Sequence, residues 1–94
     1  MNGKAACIRL NPADNCAVAL ENLKKGSSYP VGSRMVLCGQ DIERGHKMAL
    51  FDLSAGDPVI KCGYAIGRVT GPIREGCLIH IPDIKSFTEN ILNE

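Results

Sequence analysis

A five-residue pattern recurs four times along the chain and restricts the folds that are open to it. Each copy begins with Asn, Asp or Pro, continues with one Leu or Ile and two further residues, and ends in Gly. The copies occupy residues 22–26, 41–45, 52–56 and 72–76. Asx and Pro residues initiate turns, and a Gly with positive φ ends a single helical turn in a left-handed conformation. The pattern therefore predicts four tight turns, each of which buries one aliphatic side chain and starts a new strand.

Two longer segments repeat one another. Residues 19–26 align without a gap on residues 49–56, and both read Ala-Leu-x-(Asn/Asp)-Leu-x-x-Gly. An internal repeat of this kind indicates two similar halves, each built as strand, tight turn and strand. Packed together, the halves would bury apolar surface that neither buries alone.

The composition predicts one small domain with a modest aliphatic core. The chain has 94 residues, of which 45% are hydrophobic, and only two Tyr and two Phe. We expect one domain over residues 1–94, with its core at about 6–84 and a short helical tail or linker over 85–94. A capping-box pattern at 86–89 predicts the helix in that tail.

Charge and hydropathy exclude two classes of partner. The net charge is +1, with no basic run and no interleaved aromatic residues, so we expect no nucleic-acid surface. No apolar run approaches the roughly 20 residues that span a bilayer, and the first residues do not resemble a signal peptide. We therefore expect a cytoplasmic protein without a membrane role.

The five cysteines are an odd number and contain no Cys-x-x-Cys pair. This spacing fits neither a disulfide framework nor a zinc knuckle. Most of them lie among Ala, Val, Ile and Leu, where a free thiol behaves as a small apolar side chain. We expect reduced, structural cysteines, and the same reasoning gives little support to a redox or metal-sensing role.

Apolar runs and Gly or Pro punctuation predict the strands and connections. We expect strands at 6–10, 16–20, 34–38, 46–50, 58–62, 65–69 and 78–81, a loop at 26–32, and a hairpin turn at Gly63-Tyr64. The run at 16–20 is ambiguous, because its Ala and Leu content also fits a helix over 15–25. Its alignment with 46–50, which alternates in the manner of a strand, favours a strand.

His46 and Lys47 are the first candidates for chemistry. They follow Gly45 at the start of a predicted strand, where an imidazole and an ammonium could meet a carboxylate or a metal. The alternative is a solvent-facing pair with no function.

Three further residues are candidates for substrate binding. Lys61 and Arg68 lie on neighbouring predicted strands and could form one anion-binding patch, or could simply pair with nearby carboxylates. His80 alternates away from the apolar face of its strand, but a lone histidine does not make a metal site. The sequence contains no Ser-His-Asp set, phosphate loop or paired-carboxylate motif, so it lacks a complete catalytic set.

These motifs resemble those of a known family. The segments 14–20, 45–56 and 58–68 are similar to the N-terminal domain of the altronate and galactarate dehydratase family, and the likeness runs from about residue 8 to 84. That domain also occurs as a separate polypeptide, such as the small subunit of sulfolactate sulfo-lyase. The resemblance implies a mostly β, SAF-like β-clip fold of short, sharply turned strands.

The resemblance also implies a function. It implies a small subunit, or a detached N-terminal domain, of a lyase that dehydrates sugar acids and acts with a separate large catalytic chain. In such a lyase a divalent metal, iron being one candidate, polarises the substrate carboxylate, a base removes the α-proton, and water or sulfite leaves. This chain alone would bind no cofactor and no metal, and would be inactive without its partner.

One departure from the family concerns the last predicted strand. Family members carry several histidines there, whereas this chain keeps His80 and has Leu78 and Pro82 at neighbouring positions. His46 and Lys47 therefore stand as the expected catalytic residues, with Lys61, Arg68 and His80 as substrate contacts. Two alternatives stay open: a non-catalytic module for binding an acidic sugar or for assembly, and a sulfo-lyase small subunit. Self-association into a homo-oligomer is also left open.

Overall fold

The computed structural model describes residues 5–80 and 84–86, which form nine short β-strands. These are β1 (Cys7–Ile8), β2 (Cys16–Ala19), β3 (Ser28–Val31), β4 (Arg34–Leu37), β5 (Lys47–Ala49), β6 (Pro58–Lys61), β7 (Tyr64–Val69), β8 (Leu78–Ile79) and β9 (Ile84–Ser86). This part of the chain contains no helix, and hence none long and apolar enough to cross a membrane. The expected mostly β fold of short, sharply turned strands is confirmed.

The strands form three small antiparallel sheets. The first has the order β1-β2-β5-β8, the second is the β3–β4 hairpin, and the third has the order β6-β7-β9. In the first sheet Cys16 of β2 pairs with Ala49 of β5, and Lys47 of β5 pairs with Ile79 of β8. The segment 16–20 is therefore a strand, as its alignment with 46–50 predicted, and the alternative helix over 15–25 is wrong.

The four repeated turns form as predicted and associate in two pairs. Their closing glycines all have positive φ, between 86° and 92°. Leu23 of the first turn and Ile42 of the second exchange two N–H···O bonds of 2.7 and 2.9 Å. Leu53 and Ile73 of the third and fourth turns do the same, at 2.8 and 2.9 Å. The repeat in sequence is thus a repeat in structure, and all four aliphatic side chains are buried.

Within the pairs, the first residue of one turn caps the backbone of the other. The Asn22 side-chain oxygen accepts the N–H of Arg44 at 2.9 Å, and an Asp41 carboxylate oxygen accepts the N–H of Lys25 at 3.0 Å. In the second pair Asp52 accepts the N–H of Glu75 at 2.8 Å. Pro72 occupies the fourth equivalent position and has no side-chain acceptor, so the second pair has one cap where the first has two.

Each half has its own apolar cluster. The first cluster contains the Leu23–Ile42 pair together with Val36 and Met48, and the second contains the Leu53–Ile73 pair together with Val59. Consecutive strand residues face opposite sides of a sheet, and β5 contributes Met48 to one cluster and Ala49 to the other. The shared strand β5 is therefore the element around which both halves pack.

The cysteines are all free thiols. Cys7, Cys16 and Cys38 are buried, Cys77 is half-buried and Cys62 is exposed. Burial raises the pKa of the Cys7 and Cys38 thiols, which keeps them protonated and unreactive at neutral pH. The burial of Cys7, Cys16 and Cys38 agrees with the predicted structural role, and the reduced state stays a prediction.

Two local predictions are wrong because distant pairing decides the structure. The segment 26–32, predicted as a loop from its Gly, Ser and Pro content, contains β3, which pairs along its whole length with β4. The second hairpin turns at Cys62-Gly63, one residue earlier than predicted, because both residues have positive φ, at 55° and 83°. That conformation is typical of a type I′ turn, and it leaves Tyr64 free to pair with Lys61.

The strand β9 lies at the expected boundary between the core and the C-terminal tail. Residues 85 and 86 belong to β9, where Lys85 pairs with Arg68 and Ser86 with Gly67 of β7. This pairing, which the local capping-box pattern could not anticipate, extends the ordered β structure past the expected core boundary at 84. The remainder of the predicted helix lies outside the described residues.

Candidate functional site

The register of β5 and β8 brings the two histidines together. Lys47 pairs with Ile79 and Met48 with Leu78, so His46 and His80 are the next opposed residues past the end of this antiparallel ladder. His46 follows Gly45, whose positive φ turns the chain into β5. Its ring Nδ1 lies 3.3 Å from the main-chain oxygen of Glu43. Two residues that are 34 positions apart in sequence therefore share one edge of the molecule.

Both histidines are exposed and line one shallow cleft. The cleft has a volume of about 370 Å³ and is bordered by Asp41, Glu43 and Leu78 in addition to His46 and His80. Two imidazoles beside two carboxylates can donate and accept hydrogen bonds and can transfer protons. Asp41 is already partly engaged, because it accepts the Lys25 N–H.

The His, Asp and Glu side chains that line this cleft do not form a metal site. Among the described residues no group of three or more His, Cys, Asp or Glu side chains converges closely enough to hold a metal ion.

Lys47 lies on a different face from His46. In β5 it pairs with Val18 on one side and Ile79 on the other, on the face that also carries Cys16 and Ala49. Met48 faces the opposite side, toward which the alternation of the strand also directs His46. The two expected catalytic residues are thus adjacent in sequence but separated by the sheet.

Lys47 and Lys61 converge on Cys16. Burial, with a smaller contribution from the Asp14 carboxylate, raises the pKa of the Cys16 thiol to about 11, although the ammonium groups of Lys47 and Lys61 act in the opposite direction. The Cys16 Sγ donates to the main-chain oxygen of Ile60 at 3.5 Å. Two of the expected site residues therefore share a neighbourhood, on the side of the sheet away from the histidine cleft.

Lys61 and Arg68 lie toward opposite ends of the β6–β7 hairpin. Lys61 pairs with Tyr64 at the turn of the β6–β7 hairpin, and Arg68 pairs with Pro58 at its base. At about 3.3 Å per residue, this places them roughly 10 Å apart along the hairpin. Arg68 also donates from Nη1 to the main-chain oxygen of Gly56 at 2.9 Å.

Asp14 is an organising residue that sequence reasoning did not single out. Its buried carboxylate accepts the N–H groups of Asn11, Cys62 and Gly63 at 3.1, 2.9 and 2.8 Å. Burial alone would raise the pKa of Asp14, but these donors and the Arg9 charge hold it below its usual value. The carboxylate therefore fixes the turn that follows Lys61.

Asn15 continues this connection between β2 and β6. Its side-chain nitrogen donates to Pro58 O at 2.8 Å, and its side-chain oxygen accepts the N–H of Ile60 at 2.8 Å. A pair of Asx residues before a strand signals a turn in sequence. This local signal does not reveal that the hydrogen-bond partners of Asn15 lie more than 40 residues away.

The fold and the cleft define a class of protein: a small β domain that offers a pair of histidines at one edge. The sequence matches the family model described as the altronate/galactarate dehydratase SAF domain over residues 5–87. The chain belongs to this family, which confirms the resemblance seen in its sequence.

The relatives are much longer enzymes and one small subunit. The chain is 41% identical over 73 residues to altronate dehydratase of Escherichia coli (strain K12), which covers 78% of this chain and 15% of the relative. It is 31% identical over 84 residues to altronate dehydratase of Bacillus subtilis (strain 168), covering 89% and 17%. It is also 43% identical over 42 residues to the (2R)-sulfolactate sulfo-lyase subunit alpha of Chromohalobacter salexigens, covering 45% of each chain. The chain thus spans less than a fifth of the altronate dehydratases.

Proposed function

We propose that this chain is the SAF domain of a lyase that dehydrates sugar acids, and that it acts with a separate large catalytic chain. The observation that carries the proposal is the opposed pair His46 and His80 in an exposed cleft of a domain that belongs to this family. More than 80% of the sequence of each named altronate dehydratase lies outside the part that matches this chain. In this proposal a partner chain supplies a catalytic region of that kind.

In this proposal the histidines face the partner's active site. An imidazole can remove the proton next to a carboxylate or protonate the departing hydroxyl, and His46 is assigned this proton-handling role. His80, directly opposite, would donate a hydrogen bond to a substrate oxygen. Lys47 and Lys61, on the other face, would attract the anionic substrate by charge, and Arg68 would contribute at the base of the hairpin.

The divalent metal that the family implies is assigned to the partner. The described residues of this chain do not form a ligand set for it. The chain contributes substrate contacts, proton transfer and shielding of the site from water. We also assign the complex to the cytoplasm, without a nucleic-acid or membrane partner.

A sulfo-lyase small subunit is the second candidate. The alignment with the sulfolactate sulfo-lyase subunit alpha covers 42 residues at 43% identity, which is 45% of each chain. The same histidine edge would serve there, with sulfite leaving in place of water. A module that binds or assembles without contributing to catalysis is the remaining alternative, and the shallowness of the cleft is compatible with it.

Recovery of the complex from the native host tests the proposal. The tagged chain is used to isolate its partner, and the complex is assayed with altronate, galactarate and sulfolactate. Recovery of a large chain with lyase activity is expected, and the substrate that turns over identifies the leaving group. His46→Ala should reduce kcat/KM by roughly 100-fold or more, the usual contribution of a positioned acid or base.

Ser27→Ala is the matched control for His46→Ala. Ser27 follows Gly26 as His46 follows Gly45, and each donates its N–H to the residue three positions earlier, at 3.1 Å in both cases. Ser27 is exposed and lies in a different turn, so its variant should keep full activity. A chain that returns alone, or a complex whose activity survives His46→Ala unchanged, would contradict the proposed role and favour the binding module.

A further inference from the structure

The two edge strands of the first sheet differ in how their free sides are protected. The sheet order is β1-β2-β5-β8, so β1 and β8 each have one side without a neighbouring strand of that sheet. On β8 the Leu78 N–H donates to the side-chain oxygen of Gln40 at 3.0 Å, which caps that edge. The free side of β7 in the third sheet is covered by β9. Such protection matters because unpaired main-chain groups on an edge bind other strands. Among the described contacts, no such cap is present at the outer edge of β1.

The register of β1 shows which of its main-chain groups point outward. Leu20 donates its N–H to Ala6 O at 2.8 Å, and the next residue of β1, Cys7, is paired with Ala19. Ala19 directs its own N–H to β5, where it donates to His46 O at 2.8 Å. Hydrogen-bonded and non-hydrogen-bonded pairs alternate along an antiparallel ladder. The N–H and C=O of Cys7 therefore point away from β2.

The main chain of Cys7 is buried without a partner in the described part of the chain. The residue is 2% exposed, and within residues 5–80 and 84–86 no hydrogen bond is formed by its N–H or its C=O. Buried main-chain groups are almost always paired, because an unpaired one loses the hydrogen bonds that it makes with water. A donor and an acceptor left unpaired on one edge residue therefore point to a ligand that supplies both partners.

Cys7 lines a cleft between β1 and the tip of the β3–β4 hairpin, which lies alongside it. The cleft has a volume of about 490 Å³, and Ala5 and Arg9, the residues two positions on either side of Cys7, also line it. Ile8 and Val31 contribute apolar side chains to its walls. A strand edge beside apolar walls is the arrangement that binds extended peptides. This cleft lies at the opposite edge of the sheet from the histidine cleft.

We infer that the outer edge of β1 binds an extended segment of another polypeptide chain, which joins the first sheet as an additional strand. One residue of that segment accepts the Cys7 N–H and donates its own N–H to the Cys7 oxygen, as in any antiparallel ladder. The walls formed by Ile8 and Val31 suit apolar side chains on the segment. In the proposed complex the segment belongs to the large catalytic chain, so the source of the segment rests on the proposed function.

A second copy of this chain is a poorer occupant of the edge. β1 is only two residues long, so a ladder between two copies of β1 contains few hydrogen bonds. Stable interfaces bury roughly 800 Å² on each partner, and so short an edge supplies only a small part of that area. A large chain that inserts one segment here can bury the remaining area elsewhere on the domain. The short edge therefore favours a segment of a larger partner.

Titration of the isotope-labelled chain with a neutral peptide tests the site. The probe is acetyl-Val-Thr-Val-Thr-Val-amide, whose β-branched residues favour an extended conformation. Binding should give saturable NMR shifts in the amides of residues 5–9, and the Cys7 amide proton should move downfield because it gains an acceptor. The same peptide with N-methyl groups on its three central residues lacks their donors and should bind at least about tenfold more weakly. Shifts that do not saturate, or equal binding of the methylated peptide, would overturn the inference and leave the Cys7 groups to water.

Two variants at Cys7 test the same contact from the side of the protein. Cys7→Pro removes the outward N–H without removing a ladder hydrogen bond, which an edge strand tolerates. Cys7→Ala removes the same thiol but keeps the N–H, so it is the matched control. Cys7→Pro should bind the peptide at least about tenfold more weakly than Cys7→Ala, and equal binding would overturn the inference. Should Cys7→Pro fail to fold, the methylated peptide decides, because it leaves the protein unchanged.

Recovery from the native host tests the source of the segment. Tagged Cys7→Ala should recover the large catalytic chain, and Cys7→Pro should recover at most about one tenth as much. Equal recovery by both would overturn this inference while leaving the lyase proposal intact. Recovery that depends on the Cys7 N–H, with activity that survives His46→Ala, would support this inference and contradict the lyase proposal. Peptide binding that requires deletion of residues 87–94 would make the chain's own C-terminal segment the occupant and overturn the inference.

Discussion

The two halves of the molecule share a backbone plan but are stabilised differently. In the first half, the Leu23–Ile42 turn pair has two reciprocal side-chain caps, and its hairpin β3–β4 turns without a buried polar partner among the described contacts. In the second half, the Leu53–Ile73 pair has one such cap, and the hairpin β6–β7 is held by Asp14 and Asn15 from outside the repeat. The repeated pattern therefore specifies the backbone, while residues that differ between the copies supply the stabilisation.

This difference also bears on function. The second half contains Lys61, Arg68 and His80, and the shared strand β5 begins beside His46. Its hairpin turn is fixed by the buried Asp14 carboxylate, and under the proposed function this rigid support would hold the substrate-binding residues in position. Substitutions whose effects should differ between the two halves test whether they are stabilised differently.

Alanine at Gly76 should have the largest effect. Gly26 and Gly76 hold equivalent positions with φ of 90° and 86°, but a Cβ at Gly76 would overlap the Leu37 carbonyl oxygen, while one at Gly26 meets open space. Gly26→Ala should cost about 1 to 2 kcal/mol, the penalty for a left-handed L-residue. Gly76→Ala should cost more than about 3 kcal/mol, since the overlap adds to it. Urea unfolding measures the free energy of unfolding of both variants. Equal losses in Gly26→Ala and Gly76→Ala would contradict the close approach of Gly76 to Leu37.

Removal of the Asp14 charge should have the next largest effect and should depend on pH. Asp14→Asn replaces an ionised acceptor of three N–H groups. The melting temperature of this variant at pH 7 should therefore lie roughly 5 °C or more below that of wild type. Because the folded-state pKa is lowered, the stabilisation is complete above the unfolded value of 3.8 and is lost as the pH falls through the folded value. The gap between variant and wild type should therefore close below about pH 3.8. A gap that is the same at pH 7 and pH 2 would contradict this account.

The reciprocal caps should contribute less. Asp41→Ala removes the acceptor for the Lys25 N–H in an exposed turn and should cost about 1 kcal/mol. Asp41→Asn keeps an acceptor oxygen in place and should stay within about 0.5 kcal/mol of wild type. Chemical denaturation of both variants decides the matter. If Asp41→Asn is as unstable as Asp41→Ala, the contribution of Asp41 is its charge and not the cap.

The Cys16 thiol should affect stability only in alkali. Burial raises its pKa to about 11 from an unfolded value of 9.0, so its protonated form stabilises the fold fully below pH 9 and this contribution is lost as the pH rises toward 11. Wild type should therefore lose stability between pH 9 and 11 more steeply than Cys16→Ala. Parallel slopes of melting temperature against pH would show that Cys16 does not titrate in this range.

The turns and most strands could be predicted because their signals are local. An Asx or Pro, a buried Leu or Ile and a closing Gly lie within five residues, and the repeat itself decided that 16–20 is a strand. β3 and β9 could not be predicted, because Ser28–Val31 and Ile84–Ser86 become strands only by pairing with β4 and β7. Local composition there suggests a loop and a helix start.

The same limit applies to the candidate site. His46 and His80 could each be selected from their places in predicted strands, but their opposition follows from the β5–β8 register, which no local pattern encodes. Asp14 went unnoticed for the same reason, as two of its partners, Cys62 and Gly63, lie 48 and 49 residues away. Sequence therefore supplied candidate residues, and long-range pairing supplied the arrangement.

Complementation of a relative tests the central claim most directly. The E. coli altronate dehydratase, with the 73 residues that match this chain removed, is assayed for altronate dehydration with this chain added or fused in their place. Wild type and Ser27→Ala should restore activity, while His46→Ala and His80→Ala should restore at most about one hundredth of it. Equal restoration by the histidine variants, or full activity of the shortened enzyme alone, would contradict the claim that this domain supplies its histidine edge to a lyase.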